Sequence, residues 1–216
     1  MEIKGKNVLF LGDSITEGVG TSSPENNYVS VFQRLSGANV FNYGVIGTRL
    51  AKQTIDHNPD FSESFIDRLA RMNEDADIVV VFGGTNDFGH GDAPFGTFND
   101  RTDDTYYGAC HKLFTSLITK YPDARIVVLT PLHRLSENNT VKEVRNLPTL
   151  PLKAYIDALV HVAQYYSLPV IDLYSISGLQ PAVEVIRQKY MPDGLHPSDA
   201  GAKRIAEILY AQLLSL

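Results

Sequence analysis

Five short apolar runs constrain the fold of this chain more than any other feature: Val8–Leu11, Val40–Tyr43, Ile78–Phe82, Ile126–Leu129 and Val170–Leu173. Each is too short for a helix and too continuous for a strand that buries one face, so each fits a parallel strand covered on both sides. Between the runs, apolar residues return at helical spacing. Tyr28, Val31, Phe32 and Leu35 make one stripe; Cys110, Leu113, Phe114, Leu117 and Ile118 a second; Tyr155, Ile156, Leu159 and Val162 a third. A last helix is expected to start from Ser198 as N-cap and to turn Ile205, Ile208, Leu209 and Leu213 inward. Strands alternating with helices imply right-handed βαβ crossovers, and hence a three-layer α/β sandwich.

The 216 residues, 44% of them hydrophobic, suffice for one domain with a substantial core, and one domain (residues 1–216) is the expectation. No internal repeat, low-complexity tract or linker stands out. Two long irregular stretches, Phe88 to Asp104 and Leu132 to Leu150, read as functional loops or lids at the sheet edge. A formal charge of −6 and the lack of any basic run argue against nucleic acid or an anionic membrane as partner. Residues Met1 to Lys6 hold no apolar signal core, and no stretch reaches the roughly 18 apolar residues that span a bilayer. A soluble, cytoplasmic protein with no membrane insertion is therefore expected. The single cysteine, Cys110, excludes an internal disulfide and a multi-cysteine zinc site, and it reads as a packed helical residue beside Leu113 and Phe114.

In such a sheet, ligands bind beyond the carboxyl ends of the strands. The first run is followed by Gly12-Asp13-Ser14, where Gly12 and Gly18 allow a tight turn that projects the Ser14 hydroxyl; alternatively, Ser14 or Thr16 simply caps a helix. A phosphate loop is excluded because no Gly-Lys-[Ser/Thr] follows. The second run leads into Asn42-Tyr43-Gly44-Val45-Ile46-Gly47, whose glycines can bring main-chain N–H groups onto an anion or can form a plain turn. The third leads into Gly83-Gly84-Thr85-Asn86-Asp87, where Asn86 can aim an uncharged donor at an oxyanion or close an Asx turn. Asp87-Phe88-Gly89 also spells a kinase triplet, but no other kinase signature accompanies it. Before the last helix stands Asp193-Gly194-Leu195-His196-Pro197. Across that turn the carboxylate can hold one imidazole nitrogen and leave the other as a base, or the pair can be a structural hydrogen bond; no second histidine nearby suggests a metal.

Taken together, the four blocks supply a hydroxyl nucleophile, oxyanion donors and an acid-oriented base. Gly12-Asp13-Ser14, Asn42-x-Gly44-x-x-Gly47, Gly84-x-Asn86-Asp87 and Asp193-x-x-His196-Pro197 occur in the order and approximate spacing of the SGNH hydrolases, the GDSL esterase/lipase superfamily, which the chain resembles over nearly its whole length. The resemblance implies a flavodoxin-like α/β/α fold with a five-stranded parallel sheet, and an ester hydrolase needing neither metal nor cofactor. It implies Ser14 as nucleophile, His196 as base and Asp193 as its orienting acid. The oxyanion hole would comprise the main-chain N–H groups of Ser14 and Gly47 and the Asn86 side chain. The first block reads Gly-Asp-Ser-Ile where the family name has Leu, a conservative apolar change.

Asp13 is expected to hold the nucleophile loop by a local hydrogen bond or to line the pocket. His90 is a further candidate pocket residue. Phe95, Phe98, Tyr106 and Tyr107 either wall a site for a sugar or acyl group or pin their loop. His57, His111, His133 and His161 lie away from the blocks and read as surface or structural residues. The expected substrate is a small-molecule ester with a short acyl chain, such as an O-acetyl group on carbohydrate. A lysophospholipase or thioesterase is the alternative, and a silent binding module is disfavoured because every catalytic position is filled.

Overall fold

A parallel ladder leaves no room for tight hairpins, so every strand must be followed by a crossover that covers one face of the sheet. The computed structural model describes residues 2–53, 63–143 and 146–216, and shows this arrangement. Strands β1 (Asn7–Gly12), β2 (Asn39–Gly44), β3 (Ile78–Phe82), β4 (Arg125–Leu129) and β5 (Val170–Ile171) form an all-parallel sheet in the order β2-β1-β3-β4-β5. The helices are α1 (Ser14–Glu17), α2 (Tyr28–Ser36), α3 (Phe65–Arg68), α4 (Thr85–Gly89), α5 (Tyr106–Lys120), α6 (Leu152–Tyr165), α7 (Leu173–Ile176), α8 (Glu184–Tyr190) and α9 (Asp199–Ser215).

The period-two alternation of strand side chains divides the core into two layers. Leu9, Leu11, Val79, Val81, Ile126 and Val128 pack with the inward faces of α5 and α6. Val8, Phe10, Ile78, Val80, Phe82, Val127 and Leu129 pack with those of α2 and α9. Each such buried aliphatic side chain contributes about 1.5–3 kcal/mol relative to exposure. Local chemistry sets the helix ends. Asn27 accepts from Ser30 N at 2.8 Å to start α2, and Ser198 caps α9 by accepting from Gly201 N at 3.4 Å, as expected. Cys110 is fully buried in the α5 face.

Three expectations require correction. The fifth run yields a strand of only two residues, because Asp172 accepts from Ser175 N and caps α7, which takes Leu173 into a helix. The β2 strand is only half-buried, since it lies at the sheet edge. Leu35 is 41% exposed; α2 buries Tyr28, Val29, Val31, Phe32 and Ser36 instead. Ser36 can point inward because its hydroxyl donates to Phe32 O at 2.7 Å. A further irregular stretch, beyond the two expected, follows β2 from Val45 to Gln53.

The register pairs Gly12 with both Gly44 and Phe82, so β1, β2 and β3 end at one level. The chain leaves β1 for β2 on one side and returns to β3 on the other, which makes the β1–β3 crevice the topological switch point. The α2 correction carries a test by urea denaturation. Phe32→Ala is expected to cost about 3–5 kcal/mol, and Leu35→Ala less than about 0.5 kcal/mol; comparable losses would contradict the packing described.

Candidate active site

Asp13 is the first residue past β1, and its carboxylate accepts from Ile15 N at 3.0 Å, so it caps the short helix α1 that begins at Ser14. The sequence alternatives of Ser14 or Thr16 as cap are thereby excluded. The two glycines of the block act differently. A Cβ on Gly12 would lie 1.9 Å from Thr16 Oγ1, so Gly12 permits close packing, while Gly18 ends α1 at φ 111°, a left-handed conformation that disfavours side chains. Thr16 is engaged elsewhere, its hydroxyl 2.9 Å from the buried Tyr28 hydroxyl.

Ser14 Oγ lies 3.0 Å from His196 Nε2, although 182 positions separate them in the chain. His196 Nδ1 lies 2.6 Å from Asp193 Oδ2. The other Asp193 oxygen accepts from Leu195 N at 2.9 Å and His196 N at 2.7 Å, which fixes the turn. Partial burial opposes the charge on Asp193, but the hydrogen bonds from the His196 ring and main chain and from Leu195 outweigh it and hold its pKa below the usual carboxylate value. The His196 loop is tied to the Ser14 side by Asp199, whose carboxylate accepts from Ser22 N at 2.8 Å, Ser22 Oγ at 2.6 Å and Asn26 Nδ2 at 3.0 Å.

Side chains distant in sequence build the loop after β2. Glu17 accepts from Ile46 N at 2.5 Å, Arg49 Nη1 donates to Gly47 O at 2.9 Å, and Arg68 donates to Tyr43 O and, at 3.0 Å, to Thr48 Oγ1. Gly47 sits at φ 73°, and among the described residues its N–H makes no main-chain hydrogen bond. From α4, Asn86 Nδ2 donates to Thr48 O at 3.0 Å, while Asp87 accepts from Leu50 N at 3.0 Å and Ala51 N at 2.9 Å. Adjacent residues of α4 thus clamp the loop that carries Gly47. No local sequence pattern marks the roles of Asp87, Glu17, Arg49 and Arg68, because their partners lie 20 to 37 positions away, or two positions away in a loop of irregular shape.

His90 is half-buried beside Asn86, its Nε2 2.6 Å from Asn86 Oδ1. Asp13 is almost fully buried as a cap rather than a pocket surface. Tyr106 is 1% exposed and packs on Phe95 and Tyr155, so it is a core residue and offers no stacking face to a sugar. Phe95 is half-buried against Tyr106, Tyr107 and Tyr155, and Phe98 stacks on His161 at 4.2 Å, so these rings pin their loop. His111 is buried with Nδ1 3.0 Å from the Tyr166 hydroxyl, and His133 pairs with Glu137 at 2.9 Å; both are structural. His57 lies outside the described residues. Among the described residues no group of three His, Cys, Asp or Glu side chains is placed to hold a metal, and no helix is long and apolar enough to cross a membrane.

Burial pushes the Asp13 carboxyl up to about 7, against the opposing effects of the Ile15 N–H and the Arg68 charge. Burial likewise raises Asp87, against the N–H groups of Ala51 and Leu50. Between the ordinary value of 3.8 and about 7 the folded protein holds a proton on Asp13 that the unfolded chain has lost, so stability falls as pH rises through that window. Asparagine caps as well as aspartate and does not titrate. Across about pH 4 to 7 the wild type should lose stability relative to Asp13→Asn, by an amount on the order of a few kcal/mol. Thermal melts of the two proteins at several pH values check this; parallel curves would contradict it.

The model of the GDSL-like Lipase/Acylhydrolase family matches residues 10–204. A solved structure with 33% identity, covering 100% of this chain and 99% of its own, superposes with a TM-score of 0.85. A protein from Lactobacillus plantarum shares 28% identity with a TM-score of 0.84, covering 99% of this chain and 98% of its own. A possible lipase from Chitinophaga pinensis DSM 2588 shares 20% identity with a TM-score of 0.70, covering 97% and 98%, and thereby shares the fold. Comparison with curated proteins gives no match. Since the family model runs from the middle of β1 into α9 and takes in all four blocks, the chain belongs to the GDSL-like lipase/acylhydrolase family and is a carboxylic ester hydrolase.

Proposed function

We propose that the protein is a serine esterase acting on small, short-chain acyl esters through an acyl-enzyme, with Ser14 as nucleophile, His196 as general base and Asp193 as its orienting acid. The observation that carries this reading is the chain of contacts from Asp193 Oδ2 through both His196 nitrogens to Ser14 Oγ, at 2.6 and 3.0 Å. With Nδ1–H donated to the carboxylate, Nε2 presents its lone pair to the serine hydroxyl. As Oγ attacks the acyl carbonyl, its proton passes to Nε2, and the imidazolium then returns a proton to the departing alcohol oxygen. Water repeats the sequence on the acyl-enzyme, releasing the acid and restoring Ser14. The N–H groups of Ser14 and Gly47 and the Asn86 amide stabilise the negative oxygen formed in both halves.

The short-acyl reading is supported by the loop after β4, which is tied to the Asp193 turn by Leu135 N donating to Gly194 O at 2.8 Å. Asn138, Asn139 and Thr140 are exposed and polar. The burial of Tyr106 and the packing of Phe95 remove the aromatic platform on which a carbohydrate leaving group was expected to stack, so the support extends to a short acyl chain on a polar alcohol, of which an O-acetylated sugar is one case. A cavity of about 470 Å³ between the loops after β3 and β4 is lined by Pro94, Phe95, Leu147, Pro148 and Leu150 together with the polar Asp92, Lys142 and Thr149, but by none of Ser14, Gly47, Asn86 or His196, so it does not by itself favour the alternative, a lipid ester.

Two experiments test these assignments. A fluorophosphonate should label the wild type and not Ser14→Ala, while Asp193→Asn, which favours the wrong imidazole tautomer, should lower kcat by up to about 10⁴-fold; an adduct on a different serine would refute the assignment. For acyl size, kcat/KM is measured across p-nitrophenyl esters from C2 to C12. Each methylene that enters a fitting apolar pocket adds about 0.8 kcal/mol, so a maximum at acetate or butyrate supports the short-chain reading and a maximum at C8 or longer replaces it with the lipid ester.

A further inference from the structure

We propose that His90 is a positioning residue, which locks the Asn86 amide in the one orientation that leaves an N–H for the oxyanion; this rests on Asn86 being a donor of the hole. Two of the atoms around the Asn86 amide have no choice of role. Thr48 O is a main-chain carbonyl and can only accept, so the Asn86 atom 3.0 Å from it must be Nδ2. The reversed amide would set two oxygens against each other in a buried position. With Nδ2 fixed, the atom 2.6 Å from His90 Nε2 is Oδ1, which also can only accept. His90 Nε2 must therefore carry a hydrogen.

The contact is built into the local fold. His90 is the residue that ends α4, its own N–H donating to Asn86 O at 2.9 Å, so main chain and ring converge on the same asparagine. Asn86 is almost fully buried and His90 is half-buried above it. Two anchors on opposite sides of the amide, Thr48 O and the His90 ring, define its plane. The Nδ2 hydrogen not given to Thr48 O is then the one free for the reaction. Donation to Oδ1 also draws electron density toward the amide oxygen and strengthens the N–H groups as donors. An oxyanion donor accelerates the reaction to the extent that it is oriented beforehand, and a side chain held at one point pivots where one held at two does not.

The test compares kcat and KM for p-nitrophenyl acetate in wild type, His90→Leu, His90→Gln, Asn86→Ala and the His90→Leu/Asn86→Ala double variant. Loss of a whole oxyanion donor costs roughly 10²–10³ in kcat, and loss of its anchor is expected to cost about tenfold, with KM within about twofold because ground-state binding barely uses the amide. His90→Gln, which keeps an N–H donor, should recover most of the rate, and the double variant should be no slower than Asn86→Ala alone. Asn86→Ala slow with His90→Leu at wild-type rate overturns the inference and leaves the hole intact. A tenfold loss that persists on the Asn86→Ala background overturns it too, since His90 would then act elsewhere. Wild-type kcat in Asn86→Ala overturns the hole reading and this inference together. Should His90→Leu fail to fold, the imidazole ¹⁵N spectrum of the wild type still decides: Nε2 protonated is required, and a neutral ring with a bare Nε2 refutes the lock.

Discussion

The sheet's parallel ladder, covered by helices on both faces, leaves the molecule one edge at which to do chemistry. Strand side chains are committed to the two core layers, and the crossover helices occupy the faces. What remains is the row of loops at the carboxyl ends, and the common level at which β1, β2 and β3 stop puts three of them side by side. Ser14, Gly47 and Asn86 each fall within a few residues of such an end. The site is thus a consequence of register: a slip between β1 and β3 would separate Ser14 from Asn86 without altering either side chain.

Loops without regular structure must place their polar main-chain groups somewhere. Here the partners are ionisable side chains sunk beneath the edge. Asp13 serves the start of α1, Asp87 serves Leu50 and Ala51, Arg49 serves Gly47 O, Arg68 serves Tyr43 O, and Lys142 Nζ donates to Asp87 O at 2.7 Å. Burying such groups is unfavourable, as the raised pKa values of Asp13 and Asp87 indicate. Those contacts hold the Ser14 hydroxyl, the Gly47 N–H and the Asn86 amide in fixed relation, as the proposed oxyanion hole requires.

How much of this is legible in the sequence follows from the range of each signal. Strands β1, β3 and β4 are legible because burial on both faces leaves unbroken apolar runs, and α6 because its apolar spacing is faithful. The end of β5 is not, since Leu173 fits a strand until the Asp172 cap decides otherwise. Leu35 misleads because helical spacing gives the stripe but not the width of the surface that α9 covers. The convergence of Ser14, His196 and Asp193 is legible because each stands at a turn marked by its own short motif. Arg49 and Glu17 are not, for their task is to satisfy main-chain groups in a loop whose path no local pattern encodes. Tyr106 is the reverse case, an aromatic residue whose burial under Phe95 depends on the same unencoded path.

Ser14 and His196 are held by different physics, and the difference bears on what each can tolerate. Ser14 follows directly from a buried strand and inherits the rigidity of the core. His196 sits on a turn whose Asp193 has a side chain 55% exposed. A pair so open to solvent contributes little to folding stability, since water screens it. Its hydrogen bonds are spent on direction instead: one carboxylate oxygen holds the turn through two N–H groups and the other holds the ring. The Asp199 network then fastens this turn to residues 22 and 26 on the serine side, so that the 3.0 Å contact between hydroxyl and imidazole does not depend on the Asp193–His196 pair alone. Stability resides in the sheet, and aim resides in the loops stitched across its edge.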